Sequence, residues 1–446
     1  MNTIGTKTWQ SKKNDTVPER IDSQPLQIAV CPPELYLLQR VMKGEIADAT
    51  FIIQAYIAEG LQSRGHRLNF LGSYYSEGPV YSGSLDKLET ARLTWTGSRM
   101  FDLIRKVVWQ IQRLIGIPYL NIFSNLRLLD ACLQTLPGDD LVYERSTMYR
   151  FGVAMACKRL GMPYVLYVEA DDILEHDIMK KPITGLLRLQ MAKVFRYNLD
   201  TADRVICVSE PLKTHLVRKW KVPEEKIVVF PNVADVRRFR PDVNAREKVR
   251  ASFGMGNAPL IIFVGNFYEW HDVETLLKAF VRVLDVYPDA HLLLVGDGVT
   301  RQAMLTLADN LGIARAVVFT GMVAHIDVPR YMAAADIAVV PYPILQQDVW
   351  LSPLKLFEYM ATGNAIVASN VGQLPEWVIN ESNGLLVPPG NVTALTAAIE
   401  RLISDSALRL RLGQKARDEA VHKHSWDRYL SDLVDLYYFV IAKGKS

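Results

Sequence analysis

The apolar positions of this 446-residue chain fall into two series of short runs, each run followed by an amphipathic stretch. The first series lies at 26–30, 68–71, 141–143, 164–168, 205–208 and 227–229. The second lies at 260–264, 291–295, 316–319, 337–340, 365–368 and 384–387. Nearly continuous apolar runs of this length read as strands buried on both faces. The intervening segments carry helical spacing, as at 47–63, which ends in the Arg64-Gly65-His66 turn. Strands alternating with helices predict parallel sheets wrapped in helices. A turn and charged segment, from Pro231-Asn232 through Arg237, Arg238 and Arg240 to Pro241, separates the series. The expected organisation is a tail at 1–24, a Rossmann-like domain at 25–235, a second at 236–425, and a helix at 426–446 that can pack back on the first. Such sheets bind ligands beyond their strand C-termini, so a cleft between two facing doubly wound domains is the expected ligand site.

Composition narrows the class. With 49% hydrophobic residues the chain can fill more than one core, which excludes a disordered or fibrous protein. Lys+Arg 51 against Asp+Glu 48 leaves a formal +3, too balanced for a dedicated nucleic-acid binder. Cys31, Cys132, Cys157 and Cys207 form no C-x-x-C pair and read as reduced, buried thiols. Neither an apolar leader nor a membrane-length run is evident, so a soluble cytoplasmic protein is expected. The first strand runs into Cys31-Pro32-Pro33-Glu34 without a glycine, and Gly296-Asp297-Gly298 lacks the third glycine of a dinucleotide loop. A Walker-type loop is absent as well.

The most informative stretch is Ser352-Pro353-Leu354-Lys355-Leu356-Phe357-Glu358-Tyr359-Met360-Ala361. Ser352 suits a helix N-cap and Pro353 the first helical position. The amides of Leu354 and Lys355 then become orphan donors at the positive end of the helix dipole, a seat for phosphate. Glu358 shares their face and leans toward the N-terminus. A carboxylate beside a diphosphate is electrostatically wrong unless it grips a neutral diol, such as a nucleotide ribose. The competing reading is a self-capped helix with a solvated Glu358, and the local sequence leaves both open.

An ordered set of motifs carries a resemblance. It runs through Val142-Tyr143-Glu144-Arg145, Ala202-Asp203-Arg204-Val205-Ile206-Cys207-Val208-Ser209, Val229-Phe230-Pro231-Asn232-Val233, Phe263-Val264-Gly265 and Leu293-Leu294-Val295-Gly296-Asp297-Gly298. Phe319-Thr320-Gly321, Ala335-Asp336, Pro341, the Ser352 helix, Gly363, Gly372, Pro375-Glu376 and Ser425-Trp426 follow. From about 140 to 430 the chain resembles the family-4 (group 1) retaining glycosyltransferases of GT-B fold. The resemblance implies a C-terminal domain that binds a nucleoside diphosphate-sugar and an N-terminal domain that presents a glycan, lipid or small-molecule acceptor. It implies hexosyl transfer with retention and without cofactor or metal. Glu358 matches the second glutamate of the family's E-x7-E pair; Trp350 stands at the first, with Asp348 the nearest acid. Asn266 and His271 replace the family's Arg and Lys. Lys355 and His271 are then the expected cations at the diphosphate, and the catalytic set is His271, Lys355 and Glu358. Gly265, Asn266, Ser352, Leu354, Gly372 and Glu376 line the donor pocket, with Val323 beside the base. Arg145, Glu169, Asp171 and Asp172 stand on the acceptor side. Glu175 and His176 near those acids would permit a hard cation, although the resemblance implies none. A catalytically silent binder and a nucleotide-sugar epimerase of the same fold are the alternatives.

Two stretches bear on membranes. Phe101, Ile104, Val108, Ile111 and Ile115 form a helical stripe, with Arg99, Lys106 and Arg113 on another face. Lys180, Lys181, Arg188, Lys193 and Arg196 form a second basic segment. The expected reading is a core-facing stripe with a solvated back. The alternative is peripheral contact with anionic lipid at the inner membrane face.

Overall fold

The structure, a computed structural model, describes residues 24–45, 49–73, 78–178, 181–344 and 352–444. All but Gln24 of the expected tail lies outside these residues, as do Lys180, Asp348 and Trp350. The chain divides into two compact units. One takes in the described residues up to Lys43, then Thr50–Phe230 and the chain from Leu430 on; the other takes in Pro231–Tyr429.

The first unit is built on an eight-stranded sheet in the order β4-β3-β2-β1-β5-β6-β7-β8. Its strands are β1 (Gln27–Cys31), β2 (Arg67–Ser73), β3 (Val80–Ser84), β4 (Lys87–Thr90), β5 (Leu141–Arg145), β6 (Tyr164–Val168), β7 (Arg204–Cys207) and β8 (Ile227–Val229). From β2 through β8 neighbours run parallel, whereas β3 and β4 add an antiparallel edge. Every residue of β6 is buried, as an apolar run covered on both faces requires. The edge strands VYSGS and KLET are short and mostly polar, so periodicity did not reveal them. Helix Trp426–Gly444 contributes its later residues here. Leu433, Leu436, Tyr437 and Val440 are buried, and the Tyr437 ring lies 6.2 Å from that of Tyr143. All four cysteines are free and buried.

The second unit has six parallel strands in the order β11-β10-β9-β12-β13-β14. They are β9 (Leu260–Val264), β10 (His291–Val295), β11 (Val317–Gly321), β12 (Ile337–Val340), β13 (Ala365–Ser369) and β14 (Leu385–Val387). Two apolar cores fill the two faces of this sheet. Chain order reverses between β9 and β12, and the crevice at such a switch point is where doubly wound sheets take ligands. The first unit has its own switch point, between β1 and β5, and it is occupied by protein. The Arg150 guanidinium donates to the carbonyls of Cys31 (3.0 Å), Pro32 (2.6 Å) and Arg145 (2.9 Å). The buried Glu144 anchors it at 2.7 Å.

Candidate functional site

The candidate site grows from the strand ends at the second unit's switch point. Gly265 follows β9 at φ +142, and Gly296 follows β10 at φ +132. These dihedrals suit glycine, and the packing demands it at Gly296, where a Cβ would fall 2.1 Å from the Gly265 carbonyl oxygen. At Gly265 a Cβ would fall 2.7 Å from Lys355 Nζ. The glycine therefore leaves the space that the lysine head fills.

Lys355 sits in the first turn of helix Leu354–Thr362 and is buried. Its Nζ lies 4.2 Å from the centre of the Phe263 ring, a cation–π contact. Among the described residues it has neither a hydrogen-bond acceptor nor a carboxylate at ion-pair distance. Burial pushes its pKa down to about 7, with Glu358 opposing. A first-turn lysine is ordinarily solvated, and this one is not. The helix packs on every face, so residues Lys355 through Thr362 are all buried.

Ser352 also departs from expectation. Pro353 is the N-cap and no side chain caps the helix. The Ser352 hydroxyl instead accepts from the Asn232 amide at 2.9 Å, and its carbonyl accepts from Asn232 Nδ2 at 2.5 Å. Ser352 thus ties the helix entry to the segment after β8. The Leu354 and Lys355 amides keep their orphan character, since first-turn N–H groups have no intrahelical partner.

Glu358 is buried, and its Oε1 accepts from His325 Nε2 at 2.8 Å. Its Oε2 has no hydrogen-bond partner among the described residues. One oxygen fixes the carboxylate and the other is presented. His325 escaped the sequence reading because its partner is 33 residues away in the chain. Only the fold brings them together. Next along the helix, the Tyr359 hydroxyl accepts from the Val264 amide at 2.7 Å and pins the helix to the end of β9.

His271 lies in the turn Glu269–His271, where Nδ1 donates to the Asn266 carbonyl at 2.5 Å. The rings of Phe263 and Tyr342 each lie 5.9 Å from it. Burial, then the Lys355 ammonium, pushes its pKa down to about 3. The expected His271 cation would therefore need a nearby diphosphate to favour its charged form. The imidazole is neutral, with its proton on Nδ1 and a lone pair on Nε2. Asn266 contributes its carbonyl to this bond. Val323 is half-buried against the same core. Gly372 occupies a turn at φ +56, and the exposed Glu376 accepts from Gln373 Nε2 at 2.7 Å.

The acceptor-side residues gather in the first unit, but they differ among themselves. Arg145 donates to Glu169, which also accepts from Thr50 at 3.1 Å. Burial works against the Arg145 charge, yet Glu169 and Asp172 hold its pKa above the ordinary value. Burial, opposed by Arg145 and reinforced by Glu175, Asp171 and Glu169, pushes Asp172 up to about 7. Asp171 is not available to an acceptor. Its carboxylate is fully buried and accepts from His215 Nε2 (2.8 Å), Trp220 Nε1 (2.8 Å), Lys219 Nζ (3.0 Å) and the amides of Ile173 (3.1 Å) and Leu174 (3.3 Å). Burial opposes its ionisation, but those donors hold its pKa well below the ordinary carboxylate range. Among the described residues no group of three or more His, Cys, Asp or Glu is arranged to hold a metal.

Two parallel-sheet α/β units in one chain fit the GT-B fold, and solved structures match it. The chain superposes over 94% of its length on all of a sucrose-phosphate synthase from Thermosynechococcus elongatus, with TM-score 0.66 and 20% identity. It superposes over 92% on 99% of Anabaena HepE in complex with UDP, with TM-score 0.62 and 18% identity. Residues 258–405 match the family model for glycosyl transferases group 1, and residues 54–238 match that for glycosyltransferase family 4. The chain belongs to the family-4, group 1 glycosyltransferases. It is 30% identical, over 52% of its length, to an uncharacterized glycosyltransferase of Methanocaldococcus jannaschii, covering 59% of that protein. It is 27% identical, over 51% of its length, to a GDP-mannose-dependent alpha-(1-6)-phosphatidylinositol monomannoside mannosyltransferase of Mycolicibacterium smegmatis, covering 60% of it. The chain thus spans about six tenths of the length of these curated relatives.

Proposed function

We propose that the protein transfers a hexosyl group, with retention, from a nucleoside diphosphate-sugar held by its second unit. The observation that carries this reading is Lys355, a buried ammonium in a helix's first turn with no anionic partner among the described residues. Burying a charge without compensation is costly, and a ligand diphosphate would supply the compensation. The Leu354 and Lys355 amides add the helix dipole to the same anion. Glu358 Oε2 suits a ribose hydroxyl as a charge-assisted acceptor, while His325 holds the other oxygen. As the sugar leaves, negative charge grows on the diphosphate, so Lys355 and the amides stabilise the transition state more than the ground state. His271 Nε2 accepts in the neutral form, and it donates to phosphate only after taking up a proton. Val323 fits the side of the base, with Gly372 and Glu376 at the sugar end. Arg145, Glu169 and Asp172 serve the hydroxyls of an acceptor, and at neutral pH Asp172 supplies both donor and acceptor forms. No metal is required on this reading, because helix dipole and lysine neutralise the leaving group.

The experiment is calorimetric titration with UDP, GDP and their sugar conjugates, followed by donor hydrolysis without acceptor. We expect one nucleotide class to bind and its sugar conjugate to be slowly hydrolysed, with EDTA leaving the rate unchanged. Binding without hydrolysis or transfer would favour a silent binder, and interconversion of free nucleotide-sugars an epimerase. Loss of turnover in EDTA, restored by magnesium, would overturn the metal-independent mechanism.

A further inference from the structure

Helix Arg99–Leu114 inverts the expected core-facing stripe. Phe101 is its one buried residue, packed edge-on between Trp95 and Phe123. Of the predicted stripe, Ile104, Ile111 and Ile115 are instead exposed. At about 100° per residue, Met100, Leu103, Ile104, Val107, Ile111 and Leu114 form one continuous arc. All six are exposed, Met100 to 70% and Leu114 to 85%. Such a contiguous apolar face marks an interaction surface, where scattered exposed residues would not.

The margin of the arc indicates its partner. Arg99, Lys106 and Arg113 recur two turns apart and make a rail along one side. None has a carboxylate partner among the described residues. Asp102, the helix's one acid, is held by Arg127 and by Arg105 at 3.6 Å. Helix Gly185–Thr201, which Gln190 ties to the Leu120 carbonyl, also exposes Leu186 and Leu189. A second copy of the chain fits poorly, since a two-fold interface presents the same patch twice and offers no acid to either rail.

We propose that this face docks the protein on an anionic bilayer surface. The helix lies in the headgroup plane, with its apolar arc toward the acyl chains and Arg99, Lys106 and Arg113 on lipid phosphates. Among the described residues no helix is long and apolar enough to cross a membrane, so the contact is peripheral. The proposal stands independently of the transferase reading.

Flotation of the full chain with phosphatidylcholine vesicles, with and without one third phosphatidylglycerol, tests it without any activity measurement. The parent is expected to float with the anionic vesicles at low salt and to be released by high salt. Each rail charge is worth about fivefold near such a surface, so R99Q/K106Q/R113Q should lower anionic partition on the order of a hundredfold. L103E/V107E/L114E, changed only at exposed positions, should leave the protein unbound with its circular dichroism intact. A parent that does not float with anionic vesicles, or a Gln triple variant that binds them equally, would overturn the proposal. So would a lipid-free dimer that the Glu triple variant dissociates, with no vesicle binding by the parent.

Discussion

Asp171 and Lys355 are two buried charges, one in each unit, and they are treated in opposite ways. Asp171 collects five donors from His215, Trp220, Lys219 and two helix amides. Among the described residues Lys355 has the face of Phe263 and no hydrogen-bond acceptor. A saturated buried charge is a piece of architecture, which welds helix Asp172–Ile178 to helix Glu210–Trp220. An unsaturated one costs folding free energy, and on the proposed function a ligand anion would offset that cost. Glu358 stands between them, with one oxygen held by His325 and one presented.

The largest effect should come from emptying the saturated site. Asp171→Ala leaves several buried donors unpaired and should cost about 3–5 kcal/mol of stability. Refolded protein should bind nucleotide as the parent does, because Asp171 belongs to the other unit. Its contribution depends on pH with a definite sign. The folded pKa lies below the unfolded value, so the stabilisation is present above about pH 4 and is lost as pH falls through the folded pKa. Denaturant melts from pH 7 to pH 3 on parent and Asp171→Asn would check this. An equal slope in both would place Asp171 among ordinary surface acids.

Emptying the unsaturated site should do the reverse. Lys355→Met should lower kcat by about 10²–10³, the range for removing one transition-state charge contact. It should also stabilise the unliganded fold near neutral pH. The lysine's folded pKa of about 7 lies below its unfolded value near 10.4, so the parent loses stability as pH falls across that interval. The methionine variant should lack that slope. Single-turnover rates and thermal melts at pH 7 and 9 separate the two effects, and a variant with both lower activity and lower stability would contradict them.

Glu358→Gln should have a smaller effect. Losing the charge of the presented oxygen should weaken nucleoside diphosphate binding by about 1.5–3 kcal/mol. Inorganic pyrophosphate, which has no ribose, should bind the variant as well as it binds the parent. Equal weakening of both ligands would move Glu358 from the ribose to the phosphates.

Much of this was legible in the sequence because it rests on local pattern. Strands such as β6 and β9 are continuous apolar runs, and helix Leu354–Thr362 starts where the Ser352-Pro353 signal places it. What escaped depends on tertiary placement. Periodicity marked 99–115 as amphipathic but cannot say which face meets the core, and Phe101 alone turned inward. Asp171 and Asp172 are adjacent and chemically alike, yet one faces His215 and Trp220 and the other Arg145. The burial of Lys355 follows from the missing side chain at Gly265, ninety positions earlier. The β3–β4 edge was too polar and short to register.

If the second unit's buried lysine receives a diphosphate, nucleotide binding must be linked to a proton. A diphosphate favours the charged form of Lys355, so binding above pH 7 must draw in a proton. Calorimetric titration of the preferred nucleoside diphosphate from pH 6.5 to 9, in buffers of different ionisation heat, reads that uptake. Affinity should fall toward about tenfold per pH unit above pH 7, with uptake approaching one proton, and Lys355→Met should give a flat profile. A parent whose affinity does not change across this range, or a Lys355→Met variant that keeps the parent's slope, would contradict it.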